Sequence, residues 1–347
     1  MLSLATLALG AALSVHGPWL ISLTQKDLHL VEEKGKPDKW VTTVSVPGDF
    51  NEVVFSYGLR PFAGTGIRLY ARPMVEGATL LQLADYRVTG PRTSLKAQKD
   101  AFAEVQTDTL VLAQPAREIE VVVEPQVDID GIQPVLKELH ISLCDTKATD
   151  IEIRQSNAHP WGKKTLEPPR RAQMSYVGGN VLCSPTSVSM DLSYWAMELK
   201  KPELDLDVPQ VQQGVYDVVY NGTGNWSFNM AFAAGQTGIR AYVSRFRDVR
   251  DLEDWLDHGV PVACSVAYGL LKGKPQRDPD DGHLVLLVGF TKDGDLIFND
   301  PGRNIVRMTY KRADFERAWA ISHRTVYLIH PVGWKVPGGD GPWDHSS

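Results

Sequence analysis

Cysteine is scarce in this sequence: 347 residues contain three, Cys144, Cys183 and Cys264. An odd and small number excludes a disulfide scaffold, although it leaves room for one bridge, for instance Cys144 with Cys264. Both of those sit in apolar, strand-like runs and read as buried thiols. No His/Cys cluster has the spacing of a zinc site. The glycine-rich stretches do not compose a phosphate loop, so no metal or cofactor is implied. Asp278, Asp280 and Asp281 form an acidic loop, but calcium would need more oxygen ligands in a fixed frame, and a solvated turn is the plainer reading. Basic excess is also missing. A formal net charge of -6 leaves no footprint for nucleic acid and no polybasic surface for anionic membranes. There is no internal repeat. Met1 to Val15 is uncharged but too short to span a bilayer, which takes about 20 residues. It has the look of the apolar part of a secretory signal, with small residues at Ala12 and Ser14, yet the basic start of such a signal is absent. A secreted, extracytoplasmic protein of bacterial type is favoured; the alternative is a first strand in a cytoplasmic protein.

What is present is ordinary globular chemistry: 43% apolar and 22% charged residues, in a chain too long for one core. From Asp27 to Cys144 the pattern has period two. Ile67, Leu69 and Ala71 alternate with Arg68, Tyr70 and Arg72, and Leu139, Ile141 and Leu143 with His140 and Ser142. Further short runs are Trp40–Val46, Val53–Tyr57, Thr79–Leu83, Thr109–Leu112 and Glu118–Val123, with Gly, Pro, Asp and Asn between them. Many short alternating strands without a long helix predict an N-terminal β-sandwich over 17–145. Residues 146–170 are polar and end near Pro168-Pro169, which predicts a linker. Helical spacing then returns at Ser184–Leu199, Val208–Tyr220, Asp248–His258 and Lys311–Ala320. Strand runs are expected at Gly238–Phe246, Val260–Tyr268, His283–Phe290, Asp295–Asn299 and Thr325–His330. Helix first and strands afterwards is an α+β order for 171–332. The Gly- and Pro-rich tail, 333–347, is expected to be loose.

Cys183 carries the chemistry best. Glycines precede it, and Ser184, Pro185 and Thr186 open a helix behind it. Pro is favoured in a first helical turn, and a thiol at a helix N-terminus is acidified by the dipole and the unpaired N–H groups. A small buried hydrophobe beside a helix cap is the plain alternative. His283 begins a strongly apolar strand, and Asp300 ends the next one after a short turn. The two therefore lie side by side at one end of a hairpin, where a carboxylate can orient an imidazole. Asn299 competes for that place, but strand alternation sends it to the other face. Gln173, ten residues before Cys183, could donate its amide to a developing oxyanion together with the Cys183 N–H. Trp226 either lines a substrate groove or packs in the core.

These residues resemble cysteine peptidase family thirty-nine, in the papain-like clan. The resemblance rests on Gln173 with Cys183-x-Pro185-Thr186-Ser187, on Gly282-His283, and on Asn299-Asp300-Pro301. It extends to Gly224-Asn225-Trp226 with Phe228-Asn229, to the Glu253–Trp255 helix before Gly259-Val260-Pro261-Val262, and to Phe315-Glu316-Arg317-Ala318-Trp319. It covers roughly 170–332 and is closest to the stand-alone, exported bacterial branch. Ser184 departs from it, since Gly is more usual there; Ser suits a helix N-cap. The resemblance implies a triad of Cys183, His283 and Asp300, with Gln173 at the oxyanion hole. Gly64–Arg72 and Val105–Leu112 are similar to the sandwich that precedes this domain in related proteins. The expectation is a thiol hydrolase acting on peptide or cell-wall-peptide amides. A papain-like acyltransferase or amidase is one rival. The other is a non-catalytic protein that binds wall glycan through the sandwich.

Overall fold

The computed structural model describes residues 17–148 and 154–346, apart from 33, 36 and 97. The apolar segment 1–16, with its signal-or-strand reading, lies outside the described residues.

The chain is mixed α/β, built on two antiparallel sheets. Eight strands form the first: β1 Trp19–Leu23, β2 His29–Val31, β3 Lys39–Leu59, β4 Gly66–Pro73, β5 Leu81–Arg87, β6 Ala103–Gln106, β7 Thr109–Gln126 and β8 Leu136–Cys144. They run in the order β1-β8-β3-β7-β4-β5, with β2 on β3 and β6 on β7. In β4 the alternation read from sequence holds. Ile67, Leu69 and Ala71 are buried, while Arg68 reaches across to Asp85 and Glu124, and Arg72 to Glu120. Two expected turns are absent. Trp40–Val46 and Val53–Tyr57 are halves of β3, and Thr109–Leu112 and Glu118–Val123 are halves of β7. The register of β3 on β7 shifts at Ser45, Phe50 and Glu52, so Pro47-Gly48-Asp49 falls within a run of irregular pairing. Proline inside a sheet is tolerated at such an irregularity because no ladder bond is lost there. The punctuation read as a turn is a bulge.

The second sheet has the order β13-β12-β11-β10-β14-β9, from β9 Ile239–Arg245, β10 Val262–Ala267, β11 Gly282–Phe290, β12 Leu296–Asn299, β13 Arg307–Tyr310 and β14 Thr325–Pro331. Among the described residues six α-helices accompany it: α1 Cys183–Leu199, α2 Val208–Val215, α3 Trp226–Ala234, α4 Val249–Asp257, α5 Tyr268–Leu271 and α6 Arg312–Ala320. The helix expected over Val208–Tyr220 stops at Val215. The Asp217 carboxylate takes the N–H groups of Val219 and Tyr220, both at 3.1 Å, and folds them into a turn instead. Helix α1 is buried from Ser184 to Ala196, with Trp195 donating its indole N–H to Ile329 O at 2.8 Å.

Two segments expected to be loose are docked. Residues 154–170 form a strap along the second sheet rather than a free linker. Arg154 reaches Asp248 and Asp251 at 2.6 and 2.7 Å, Trp161 Nε1 donates to Glu253, and the N–H groups of Gly162 and Leu166 bond Phe290 O and Val288 O. The polar composition is spent on buried acids. Beyond Pro331, Trp343 is 3% exposed and packs edge-on against Phe246 and Trp255, while Asp344 pairs with Arg240 at 2.8 Å. The aromatic and acidic residues of that tail anchor it.

Helix α3 lies between the two sheets. Phe228 and Ala231 belong to the apolar core of the first, and Met230, Ala233 and Ala234 to that of the second. Ser227 Oγ donates to Phe55 O at 2.6 Å, and Ser56 Oγ accepts from Val243 N–H at 2.8 Å. No helix among the described residues is long and apolar enough to cross a membrane.

Candidate active site

Adjacent glycines shape the approach to Cys183. Gly178 sits at φ 77°, where other residues strain. A Cβ on Gly179 would lie 2.3 Å from Gln173 O, so only glycine lets the chain fold back on itself there. Leu182 then precedes α1 without a side-chain cap. The first N–H groups of the helix stay open, and they have no intrahelical acceptor. Ser184, expected as the N-cap, lies inside the helix, and its hydroxyl pairs with Tyr327 Oη at 3.1 Å. The cap position falls to Leu182 because the helix begins two residues earlier than a Ser184 cap would set it.

Cys183 is partly exposed at this helix start. His283 enters β11 opposite Val266 of β10 and is 7% exposed. Its Nε2 is bonded to Asp300 Oδ1 at 2.7 Å, which leaves Nδ1 for the thiol. Burial acts against a charged sulfur. The hydrogen bond and charge of His283, with the backbone N–H groups of Leu284 and Ser184, outweigh it and hold the Cys183 thiol below its ordinary pKa. Burial would likewise discharge the imidazole, but its bonds to Asp300 and Cys183 prevail and lift His283 to about 9. Asp300 is fully buried. Burial raises its pKa, and the bonds from His283, Tyr310 and Gly302 more than reverse that. Tyr310 Oη donates at 2.5 Å and Gly302 N–H at 2.9 Å. The arrangement favours a thiolate–imidazolium pair oriented by a carboxylate.

Asn299 faces away from His283. Its amide reaches toward Pro168 O and Pro169 O in the strap, and its carbonyl accepts from Arg307 at 2.8 Å. The structure therefore brings Cys183, His283 and Asp300 together and gives Asn299 to the strap. Gln173 is buried, and its backbone N–H bonds Pro301 O at 2.8 Å, beside the Asp300 turn. One amide hydrogen goes to Gly179 O at 2.6 Å, while its Oε1 has no partner. Trp226 opens α3, half-buried against the second core, with its N–H on the Asp108 carboxylate. Cys144 and Cys264 are separate buried thiols. In the acidic loop, Asp281 accepts Gly269 N–H at 2.8 Å and Asp278 pairs with Lys274.

Three neighbours of the site escaped the sequence reading. The Tyr268 ring lies on the His283 ring, with centroids 4.1 Å apart. Tyr310 holds the outer oxygen of Asp300. Gly302 backs the imidazole so closely that a Cβ would sit 3.1 Å from His283 Cε1 and Nε2 and 2.9 Å from Tyr268 Oη. The Asp-Pro-Gly string marks Gly302 as a turn glycine; nothing local marks the tyrosines.

No curated protein matches the chain. A solved structure described as a C39-like peptidase from Bacillus anthracis aligns with 48% of this chain and 98% of its own, at 13% identity and a TM-score of 0.37. It is residues 165–327, the stretch that holds Cys183, His283 and Asp300, that match the model of the Peptidase_C39 like family.

Proposed function

We propose that the chain is a thiol-dependent peptidase in which Cys183 is the nucleophile, His283 the acid–base and Asp300 the orienting carboxylate. The observation that carries this is the two-sided engagement of one imidazole. Nε2 is fixed on a buried carboxylate at 2.7 Å, while the same ring lowers the pKa of a thiol at an uncapped helix start. The thiolate attacks a peptide carbonyl carbon, forming the C–S bond and placing the electron pair on oxygen. The Cys183 N–H and the remaining amide hydrogen of Gln173 are the donors to that oxyanion. The carbonyl re-forms, and His283 gives its proton to the leaving amine as the C–N bond breaks. Water then enters, losing a proton to His283, and the C–S bond breaks to release the acid.

The same reading divides the chain into a β-sandwich over 17–145 and a peptidase region over 171–332. The shifted registers of β3 support the sandwich, since its first half pairs with β2 and its last half with β8. The uncharged Met1–Val15 supports action outside the cytoplasm.

The test is the rate of Cys183 alkylation by iodoacetamide against pH, in the full chain and in His283→Ala. Fast reaction well below pH 7, lost in the variant, is the expected result. A thiol that titrates near about 8.5 in both proteins would end the proposal.

A further inference from the structure

The loop between α2 and α3 has a construction that triad chemistry alone does not require. Asp217 is fully buried. Its Oδ1 takes the N–H groups of Val219 and Tyr220 and, from the first sheet's connecting loop, that of Ser94 at 3.0 Å. Its Oδ2 takes the side-chain amide of Asn225 at 2.9 Å. Asn225 in turn accepts Phe228 N–H and starts α3. Val218 N–H bonds Arg92 O at 2.9 Å. At its other end the loop is tied beside the nucleophile, with Thr223 Oγ1 on Val181 O at 2.9 Å. A loop of this length braced by one buried carboxylate and two partner segments holds one shape.

That shape presents Tyr220. Its ring lies along the loop's own backbone. A Cβ on Gly222 would come within 2.9 Å of Tyr220 Cε1, and one on Gly224 within 3.2 Å of Tyr220 Oη. The residue is 50% exposed, its loop is fastened at Val181, two residues before Cys183, and burial first, then the charges of Asp108 and Cys183, raise the pKa of its hydroxyl. A rigid, half-exposed aromatic surface beside a nucleophile offers contact area at little entropic cost.

We infer that Tyr220 is a substrate-contacting residue of the cleft, suited to a peptide with an apolar side chain next to the scissile bond, and that Asp217 positions it by tying its loop to the first sheet. This rests on the thiol-peptidase reading of Cys183. Its consequence is that the N-terminal sheet shapes substrate recognition without touching the reacting atoms.

The experiment compares two reagents on Cys183 of the full chain. Iodoacetamide reads the thiol alone. An N-acetyl-dipeptidyl chloromethyl ketone with leucine or phenylalanine side chains reads the thiol and the cleft. Tyr220→Ala should lower the ketone-to-iodoacetamide rate ratio about tenfold, the size of one aromatic anchor, with the iodoacetamide pH profile unmoved. Tyr220→Phe should keep the ratio within about twofold, because the ring and not the hydroxyl makes the contact. Asp217→Asn should lower the ratio in the same direction. If it fails to fold, the two Tyr220 variants decide. An unchanged ratio in Tyr220→Ala overturns the inference. Iodoacetamide kinetics alike in wild type and His283→Ala would instead remove the triad reading, and the inference with it.

Discussion

The guanidinium of Arg245 lies 2.8 Å from the sulfur of Cys144, yet the pKa of that thiol lies above its ordinary value. Burial dominates, and the Cys144 thiol is pushed up to about 11 despite Arg245. Cys264, buried among apolar neighbours, is raised well above its usual value by burial alone. The hydrogen bond and charge of His283, helped by the backbone N–H groups of Leu284 and Ser184, separate Cys183 from the other two.

Native protein at neutral pH should therefore be alkylated at Cys183 alone. Cys144 and Cys264 should label only after denaturant. Peptide mapping after brief iodoacetamide treatment checks this, and labelling of Cys144 at a rate comparable to Cys183 would contradict it.

The charge pair sets a pH window. Thiolate and imidazolium coexist from the lowered thiol pKa up to about 9, where His283 loses its proton. Hydrolysis should fall above about pH 9, because the leaving amine then lacks its acid. Stability follows with a defined sign. The folded pKa of His283 lies above the ordinary 6.5, so its contribution is full below that value and is lost as pH rises toward 9. The lowered Cys183 thiol has the opposite sign, so the melting-temperature difference that isolates the imidazole is between Cys183→Ala and the Cys183→Ala/His283→Ala double variant, and it should shrink as pH rises from 6.5. A difference that grows there would refute the linkage.

Gly302→Ala should displace the imidazole, because the added carbon meets His283 and Tyr268 within about 3 Å. A shift of about 1 Å in a catalytic group costs on the order of 10² in rate. Asp300→Asn should cost roughly 10²–10⁴, since the neutral amide no longer stabilises the imidazolium. Initial rates on a peptide substrate, with melting curves to confirm folding, separate displacement from unfolding.

Glu253 is fully buried and accepts from Asn157 N–H at 2.6 Å, Trp161 Nε1 at 3.0 Å and Arg312 at 2.5 Å. Glu253→Gln strands the Arg312 charge and loosens the strap. It should destabilise by about 3 kcal/mol, read as a lower denaturant midpoint. A midpoint within error of wild type would show that water replaces those contacts.

The sequence was most legible where one local rule governed one element. Helix α1, α4 and α6, and the strands β9, β10, β11, β12 and β14, fall within a few residues of their periodic runs. The pairing of His283 with Asp300 followed from hairpin reasoning alone. Helix α3 escaped because it is covered on both sides: Phe228 and Met230 face different cores, and its polar Ser227 and Asn229 are buried too, so no exposed polar stripe reveals its period. β13 escaped for the opposite reason, since it is short and largely uncovered. Asp217 was invisible as well, because its worth lies in four hydrogen bonds that only the folded loop brings together.

The sharing of α3 bears on how the molecule comes apart. Phe228 cannot leave its core while Met230 stays in its own, so melting either sheet exposes apolar surface belonging to the other. The two sheets should then unfold in one cooperative step, and a proteolytic cut between residues 145 and 154 should leave the halves associated until that step is reached.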